Sequence, residues 1–508
     1  MSRFALLLFV SLRKIILVSR KDAKTREASR GPYSAYRFQE RHMIVMKFGG
    51  TSVQDSAAIN QVAGIVARNI QRSPVVVVSA MARVTDSLLR IARTAQGRRY
   101  DEAESVINEL RERHLTTARE LLPRAARQAA AGDYSLDLIE RGIDDRFAEL
   151  ENLARSVSTL GELTPRSQDA IASFGERLSS LVIAGALSAQ GVPVDLVDSR
   201  RFVITDNRFT CAAPDMPETK TRARGELLPL IEAGRVPLAQ GFIGSTLNNL
   251  TTTIGRGGSD YSAAIIGAAL GAETIEIWTD VDGLMTADPR IVGDARRIRV
   301  ISFAEAAELS YFGAKVLHPS TVLPAVERNI PVHIYNSRNP AGEGTLIVAK
   351  PQPSGGLIKS IASKRGVTVV KVTSTRMLLA YGFLRAIFEV FDRYQTSVDV
   401  VTTSEVSVSM TLDSTDSLEA IKRDLSGIGQ VSVEREKAIV CIVGDNLKFN
   451  PAVAARLFHA IGRASVNMVS QGASEINLTF VIGESDVDEV VRRLHKEFFA
   501  DPDPAVFG

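Results

Sequence analysis

The chain has 508 residues, 45% of them hydrophobic, 23% charged and 6% aromatic, which excludes disordered, collagen-like, coiled-coil and disulfide-scaffold proteins. At about 150 residues per domain, this length predicts roughly three domains. Ten Lys/Arg against three Asp/Glu give residues 1–42 a net charge of +7; the whole chain is +3, so residues 43–508 carry 3 − 7 = −4. This mildly acidic body gives no basis for nucleic-acid binding. Two cysteines, Cys211 and Cys441, allow one bridge at most and favour a reducing compartment. No apolar run reaches the about 18 residues of a membrane span, so no membrane partner is expected.

Residues 1–42 are expected to lie outside the fold, with the working start at Met43. Their apolar run, Phe4 to Leu12, has signal-peptide length but no clean cleavage site, and the Arg- and Ser-rich, acid-poor remainder is like a transit peptide. Met43–Phe48 then reads as a short strand ending in Gly49-Gly50, and a helical pattern follows from Ala57 to Ile70. Four valines, Val75–Val78, suit a parallel strand buried on both faces. Residues 86–160 are helical in spacing. Further strands are expected at Val192–Val197, Pro237–Phe242, Thr274–Trp278 and Val332–Tyr335. Strands alternating with helices predict an α/β domain with a parallel sheet over residues 43–349. Residues 350–366, with KPQPSGG at Lys350–Gly356, read as a linker.

The last 150 residues contain a repeat. Gly382–Leu412 resembles Ala452–Ile482, with Ser397-Val398-Asp399 matching Ser465-Val466-Asn467. Each copy reads β-α-β-β-α-β, over residues 367–435 and 436–500. Such a pair fits ligand-controlled regulation and plain dimerisation equally well.

Several motifs carry candidate chemistry. In KFGGTSV (Lys47–Val53) the glycines let the backbone approach an anion, and Lys47 could reach phosphate oxygens; a tight turn with a surface lysine is the plainer alternative. In TTTIGRGGSDYSAA (Thr251–Ala264), Arg256 stands among Gly255, Gly257 and Gly258 and offers a two-point carboxylate clamp. Ser259 and Asp260 open the next helix and could be only its cap. WTDVDGLMTADPR (Trp278–Arg290) follows a strand; its spacing is wrong for an EF-hand, and a nucleotide-binding loop is the functional alternative to an Asp/Gly turn. Lys315 in FGAKVLHP (Phe312–Pro319) could meet phosphate or solvent, and Glu176 in SFGERLSS could hold a ligand ammonium. No histidine spacing suits a metal, and Cys211 has no obvious activating partner.

Taken together, KFGGTSV, GRGGSDY, TDVDG…DPR, FGAKVLHP and SVDVVTTSEVSVSMTLD resemble the aspartate kinases of the amino acid kinase family, from Met43 nearly to the C-terminus. The monofunctional, lysine-sensitive type is the most similar. The resemblance implies an amino acid kinase fold, a parallel-rich sheet between helices, followed by two ferredoxin-like ACT domains. It implies phosphoryl transfer from ATP, with Mg²⁺ carried by the nucleotide and no protein metal site, to the β-carboxylate of L-aspartate. The product is 4-phospho-L-aspartate, at the head of lysine, threonine and methionine synthesis. By the same resemblance, Lys47, Arg256 and Asp260 are the catalytic residues. Ser79, Thr85, Glu176, Gly257, Gly258 and Ser259 complete the aspartate site. Lys47, Gly49, Gly50, Thr51, Thr279, Asp280, Met285, Arg290, Lys315 and Val316 bind ATP. Met285 stands where relatives often have tyrosine.

The allosteric effector falls to the first repeat, at Met377, Ala380, Gly382, Phe383, Leu384, Ser397, Val398, Asp399, Thr403, Ser404 and Glu405, with Leu379 and Ala380 less polar than the pattern. Asp399 could pair with a ligand ammonium; Asn467 in the second repeat could not do so as well. L-Lysine is the expected effector and L-threonine its competitor. A homodimer or dimer of dimers is expected, in the cytoplasm, or in a plastid if residues 1–42 are a transit peptide. Competing readings are a kinase for glutamate, acetylglutamate or a nucleotide, and a non-catalytic amino-acid-binding regulator.

Overall fold

The computed structural model describes residues 43–122, 134–313, 319–351, 358–377, 381–501 and 503–508. The leader 1–42 lies outside these residues. Among them, 43–285, 296–351 and 503–508 form one unit, and 286–295 and 358–501 form another.

The first unit begins with β1 (Ile44–Phe48), α1 (Ser56–Arg68), β2 (Pro74–Val78) and α2 (Val84–Gln96). The long pair α3 (Tyr100–Leu121) and α4 (Leu136–Leu160) occupies most of the stretch read as helical, and α5 (Pro165–Ala172) and α6 (Phe174–Ala189) follow. Next come β3 (Val194–Val197), α7 (Met216–Glu232), β4 (Val236–Gln240), the hairpin β5 (Ile243–Ser245) and β6 (Thr251–Thr253), α8 (Gly258–Leu270) and β7 (Thr274–Thr279). β8 (Val300–Ser302), α9 (Phe303–Tyr311), α10 (Leu323–Arg328), β9 (Val332–Asn336) and β10 (Thr345–Val348) complete it. Eight strands form one sheet in the order β3-β4-β2-β1-β7-β9-β10-β8. From β3 to β9 all neighbours are parallel, and β10 runs antiparallel to β9. β1 and β2 are buried along their whole length, as expected where helices cover both faces.

The sequence Pro165–Ala189 is long and apolar enough to cross a membrane, contrary to the expectation that no run would be. Of its most apolar stretch, 89% is buried inside the unit. It is the core helix α6 with α5 before it, apolar on all sides because it is packed on all sides.

The second unit is a single six-stranded sheet, β12-β13-β11-β14-β16-β15. In chain order it holds β11 (Ile358–Thr373), α11 (Phe383–Arg393), β12 (Val401–Thr403), β13 (Ser407–Leu412) and α12 (Leu418–Ser426). β14 (Gln430–Gly444), α13 (Pro451–Ile461), β15 (Val466–Gln471), β16 (Asn477–Gly483) and α14 (Val487–Phe498) follow. Each long central strand serves both repeats. Thr368–Thr373 pairs with β13, while Ile358–Lys364 pairs with Val440–Gly444 and Ile439, next to β16. The register shifts between these halves, where Gly366 has φ +73°. The range read as a linker, 350–366, therefore contains strand from Ile358 onward; 352–357 lie outside the described residues. Among the described residues no strand of this sheet follows α14, and Ile358–Lys364 takes the closing place in the second repeat. Its signal was missed because the strand precedes the repeat it completes.

Beneath α11 and α12, Phe391, Ile387, Val370 and Leu425 are fully buried in one apolar cluster. Phe391→Ala is expected to destabilise this unit by about 3–5 kcal/mol. Phe449→Ala, at a position 63% exposed, should change stability by well under about 1 kcal/mol. Thermal unfolding of both variants checks this.

Candidate active site

The parallel strands end on a cleft of about 550 Å³, lined by residues from six separated stretches of sequence. Lys47, the fourth residue of β1, is 8% exposed and its Nζ lies 2.5 Å from Asp260 Oδ1. Asp260 is on the first turn of α8, so the ion pair joins the sheet to the helix start. The path between them is made by glycine. A Cβ on Gly50 would lie 2.9 Å from Ala80 O, and one on Gly258 would meet the Phe242 ring at 2.6 Å. Without side chains, the loop after β1 lies against the loop after β2, and α8 starts against the β4–β5 turn. Gly50 O accepts from Ala82 N at 3.1 Å. Arg113 on α3 holds both loops, donating to Ala82 O and Gln54 O at 2.9 Å each.

Glu176, in the first turn of α6, is 3% exposed. Its Oε1 accepts from Ala80 N at 3.1 Å, and its Oε2 has no hydrogen-bond partner among the described residues. Burial without a neighbouring cation pushes its carboxyl up to about 8, the Ala80 bond opposing only part of this. A buried carboxyl with an unused oxygen facing the cleft is a receptor for an ammonium group. Arg256 is exposed at the rim, between Gly255 at φ +81° and Gly257 at φ +71°. The amide end of α8 opens on the same cleft through Gly257, Gly258 and Ser259, where anions are favoured. The cleft thus offers Lys47, Arg83, Arg256 and a helix start for anions, and the unbonded oxygen of Glu176 for a cation.

All the residues assigned to catalysis and aspartate binding line this one cleft: Lys47, Ser79, Thr85, Glu176, Arg256, Gly257, Gly258, Ser259 and Asp260. Of the nucleotide residues, Lys47 and Gly50 line it. Gly49 and Thr51 sit beside them, with Gly49 N donating to Trp278 O at 3.1 Å. β1 and β7 are neighbours with Phe48 opposite Trp278, so Thr279 and Asp280 leave the sheet next to the glycine turn. Thr279 O accepts from Ser337 N at 2.8 Å, and Asp282 Oδ1 accepts from Asn336 Nδ2 at 2.9 Å, which ties this loop to the end of β9. Met285 is half-buried in the same unit.

Arg290 belongs to the second unit, is 87% exposed, and donates to Asp288 Oδ2 at 2.6 Å. Lys315 and Val316 lie outside the described residues. Arg83, Asp86, Asp169, Thr210 and Thr253 also line the cleft and were missed. Asp169 had a faint signal, as an acid on a helix just before Glu176. Thr210 had none, because only the folded chain brings it close.

In the second unit, Gly382, Phe383 and Leu384 open α11, Ser397–Asp399 lead into β12, and Thr403–Glu405 form the end of β12 and the turn after it. Met377, Phe383 and Val398 pack on the apolar cluster, so their side chains are partly structural. Ala380 and Leu379 lie outside the described residues. Asp399 differs from expectation. Its side chain is 2% exposed and is already paired with Lys364 Nζ at 2.9 Å, while Lys364 also donates to Asp413. Burial pulls the Lys364 ammonium down, but the two carboxylates outweigh it and hold it above its ordinary value. In the second repeat Lys437 reaches Asn467 Oδ1 at 3.1 Å in the matching place.

Residues 42–336 match the model of the amino acid kinase family, and residues 440–498 match that of the ACT domain. The lysine-sensitive aspartokinase 3 of Escherichia coli is 36% identical, the match covering 90% of this chain and 99% of that protein. The crystal structure of E. coli aspartokinase III with aspartate and ADP, in the R-state, superposes with a TM-score of 0.77 at 36% identity, covering 90% of this chain and all of that one. The T-state structure, with lysine and aspartate, gives 0.76 at 37% identity with the same coverage.

The raised Glu176 has a consequence for stability. The folded chain holds this proton up to about pH 8, whereas an unfolded chain releases it in the ordinary carboxylate range. The stability from this group is therefore full at low pH and is lost as pH rises through that window. Glu176→Gln is expected to remove this loss, so the variant should gain stability over wild type from pH 5 to pH 8.5. Unfolding followed against pH checks it; parallel curves would show that Glu176 is ionised throughout.

Proposed function

The chain belongs to the aspartokinase family, and on that premise we propose how its cleft carries out the phosphoryl transfer. It is an ATP-dependent aspartate kinase, moving the γ-phosphoryl group to the β-carboxylate of L-aspartate to give 4-phospho-L-aspartate. The observation that carries the mechanism is the shared cleft of Lys47, Arg256 and Glu176. Arg256 clamps the substrate α-carboxylate in two-point fashion. Glu176 accepts the α-ammonium on its unused oxygen, and the bound cation draws the proton off that carboxyl. Asp260 holds Lys47 in place until the nucleotide arrives.

The β-carboxylate is already a nucleophile, so no general base is needed. Lys47 stands where charge develops on the group in transfer, and the amide start of α8 supports it. Gly49, Gly50, Thr51, Thr279, Asp280 and Met285 cradle the nucleotide. Mg²⁺ would enter with the nucleotide, held by phosphate oxygens and water, and offsets their charge. Arg256 and Glu176 act by holding aspartate in line with the transferred group.

Lysine is proposed as the effector, acting at the first repeat. Support comes from the E. coli relative solved with lysine and from the carboxylate of Asp399, which the second repeat replaces with Asn467. Because Lys364 already sits on Asp399, an incoming ammonium has to compete with it. A homodimer or dimer of dimers is proposed through the second unit. A cytoplasmic location is proposed, in keeping with two cysteines that form no disulfide.

Two experiments test this. ATP consumption with aspartate, followed by hydroxylamine trapping of the acyl phosphate, should show product with wild type. Lys47→Ala should lose about 10²–10³-fold in turnover or more with unchanged thermal unfolding; wild-type turnover would remove Lys47 from its role. Adding lysine, or threonine in its place, should show inhibition by lysine. Asp399→Ala should be less sensitive, and Lys364→Met should respond at lower lysine concentration. Equal inhibition of all three proteins would place the effector elsewhere.

A further inference from the structure

We infer that Asp169 is a positioning residue for aspartate binding, one that sets the loop carrying Arg256. Asp169 lies on α5, is 1% exposed, and takes hydrogen bonds from three donors on two other stretches of chain. Its Oδ2 accepts from Thr210 N at 2.9 Å and from Thr253 N at 3.0 Å, and its Oδ1 accepts from Thr253 Oγ1 at 2.7 Å. Thr253 ends β6 and stands three residues before Arg256. Its carbonyl accepts from Ala212 N at 3.0 Å, so this residue is held from both sides. Thr210 has φ +71°, a left-handed backbone that a threonine adopts only when its surroundings impose it. A Cβ on Gly255 would lie 3.5 Å from Thr210 O, so the strained turn and the glycine loop are in contact. One carboxylate therefore joins a helix, a strained turn and the strand feeding the Arg256 loop.

The site is specific in its chemistry. Three hydrogen-bond donors converge on one buried side chain, and no ion pair balances its charge among the described residues. Burial raises its carboxyl above the ordinary range while the three bonds oppose the rise. Both oxygens of Asp169 are hydrogen-bonded by the protein. Asp169 acts through Arg256.

This inference rests on the reading of Arg256 as the aspartate clamp, and the test separates the two. KM for aspartate, KM for ATP and kcat are measured for Arg256→Ala, Asp169→Ala, Asp169→Asn and the double Ala variant, with thermal unfolding of each. Asp169→Ala is expected to raise KM for aspartate by about tenfold or more while KM for ATP stays within about twofold. Asp169→Asn can keep an oxygen on both amides and donate to the Thr253 hydroxyl, so it should stay within about threefold of wild type. The double variant should be no worse than Arg256→Ala alone, because both changes disable one clamp. An Asp169→Ala change that leaves KM for aspartate unaltered, weakens both substrates equally or adds fully to Arg256→Ala overturns the inference. So does Asp169→Asn matching Asp169→Ala, since the charge would then be what matters. If Arg256→Ala leaves KM for aspartate unchanged, the clamp reading fails first and takes the inference with it. Should Asp169→Ala fail to fold, Thr253→Val replaces it: it removes only the hydroxyl bond, a rise of about threefold in KM for aspartate is expected, and no rise overturns the inference.

Discussion

The ion pair between Lys47 and Asp260 joins the end of a sheet strand to the start of a helix more than 200 residues later. Such a pair needs two backbones that approach closely, and bulky residues would prevent it. Gly50 and Gly258 leave space where any side chain would collide with Ala80 O or Phe242. The loops are then held from behind, by Arg113 on one side and Asp169 on the other. Cations at the mouth of a cleft repel one another and stay hydrated unless something fixes them. Here Asp260 fixes Lys47, and the glycine turns fix the backbone that carries Arg256. The cleft is therefore shaped before a ligand arrives, which is the condition for catalysis by placement.

The sequence made the first unit and its cleft legible because the relevant residues stand beside glycines. A glycine flanked by Lys or Arg marks a close approach, and two such motifs, KFGGTSV and GRGGSDY, lie on the cleft. Strand positions were legible from apolar runs, since a sheet covered on both faces needs them. Asp169, Arg113 and Thr210 were not legible. They act by hydrogen bonds to backbone atoms, and any chain supplies those atoms, so nothing in the local pattern reports the partner. Arg290 shows that a motif residue can pair with its own neighbour, here Asp288.

Asp399 shows how a residue type can be right and its state unexpected. A buried carboxylate in an amino-acid-binding repeat suggests an ammonium ligand. The chain supplies one itself, in Lys364. Desolvating an unpaired carboxylate would be costly, so an internal lysine is a physical requirement of the ligand-free fold. The same arrangement recurs with Lys437 and Asn467, where the amide needs no charge partner. A ligand ammonium arriving at Asp399 would compete with the tethered one of Lys364.

The half-strand that the second repeat borrows bears on how this regulatory unit can be handled. Ile358–Lys364 completes the second repeat although it precedes the first in the chain. The second copy is thus not a self-sufficient module. A cut at residue 436 would leave one fragment with an orphaned strand and the other with a naked sheet edge, open to aggregation. Transplanting feedback control into another enzyme means moving the intact stretch from Ile358 to Phe498, and swapping a single copy between relatives would graft mismatched halves.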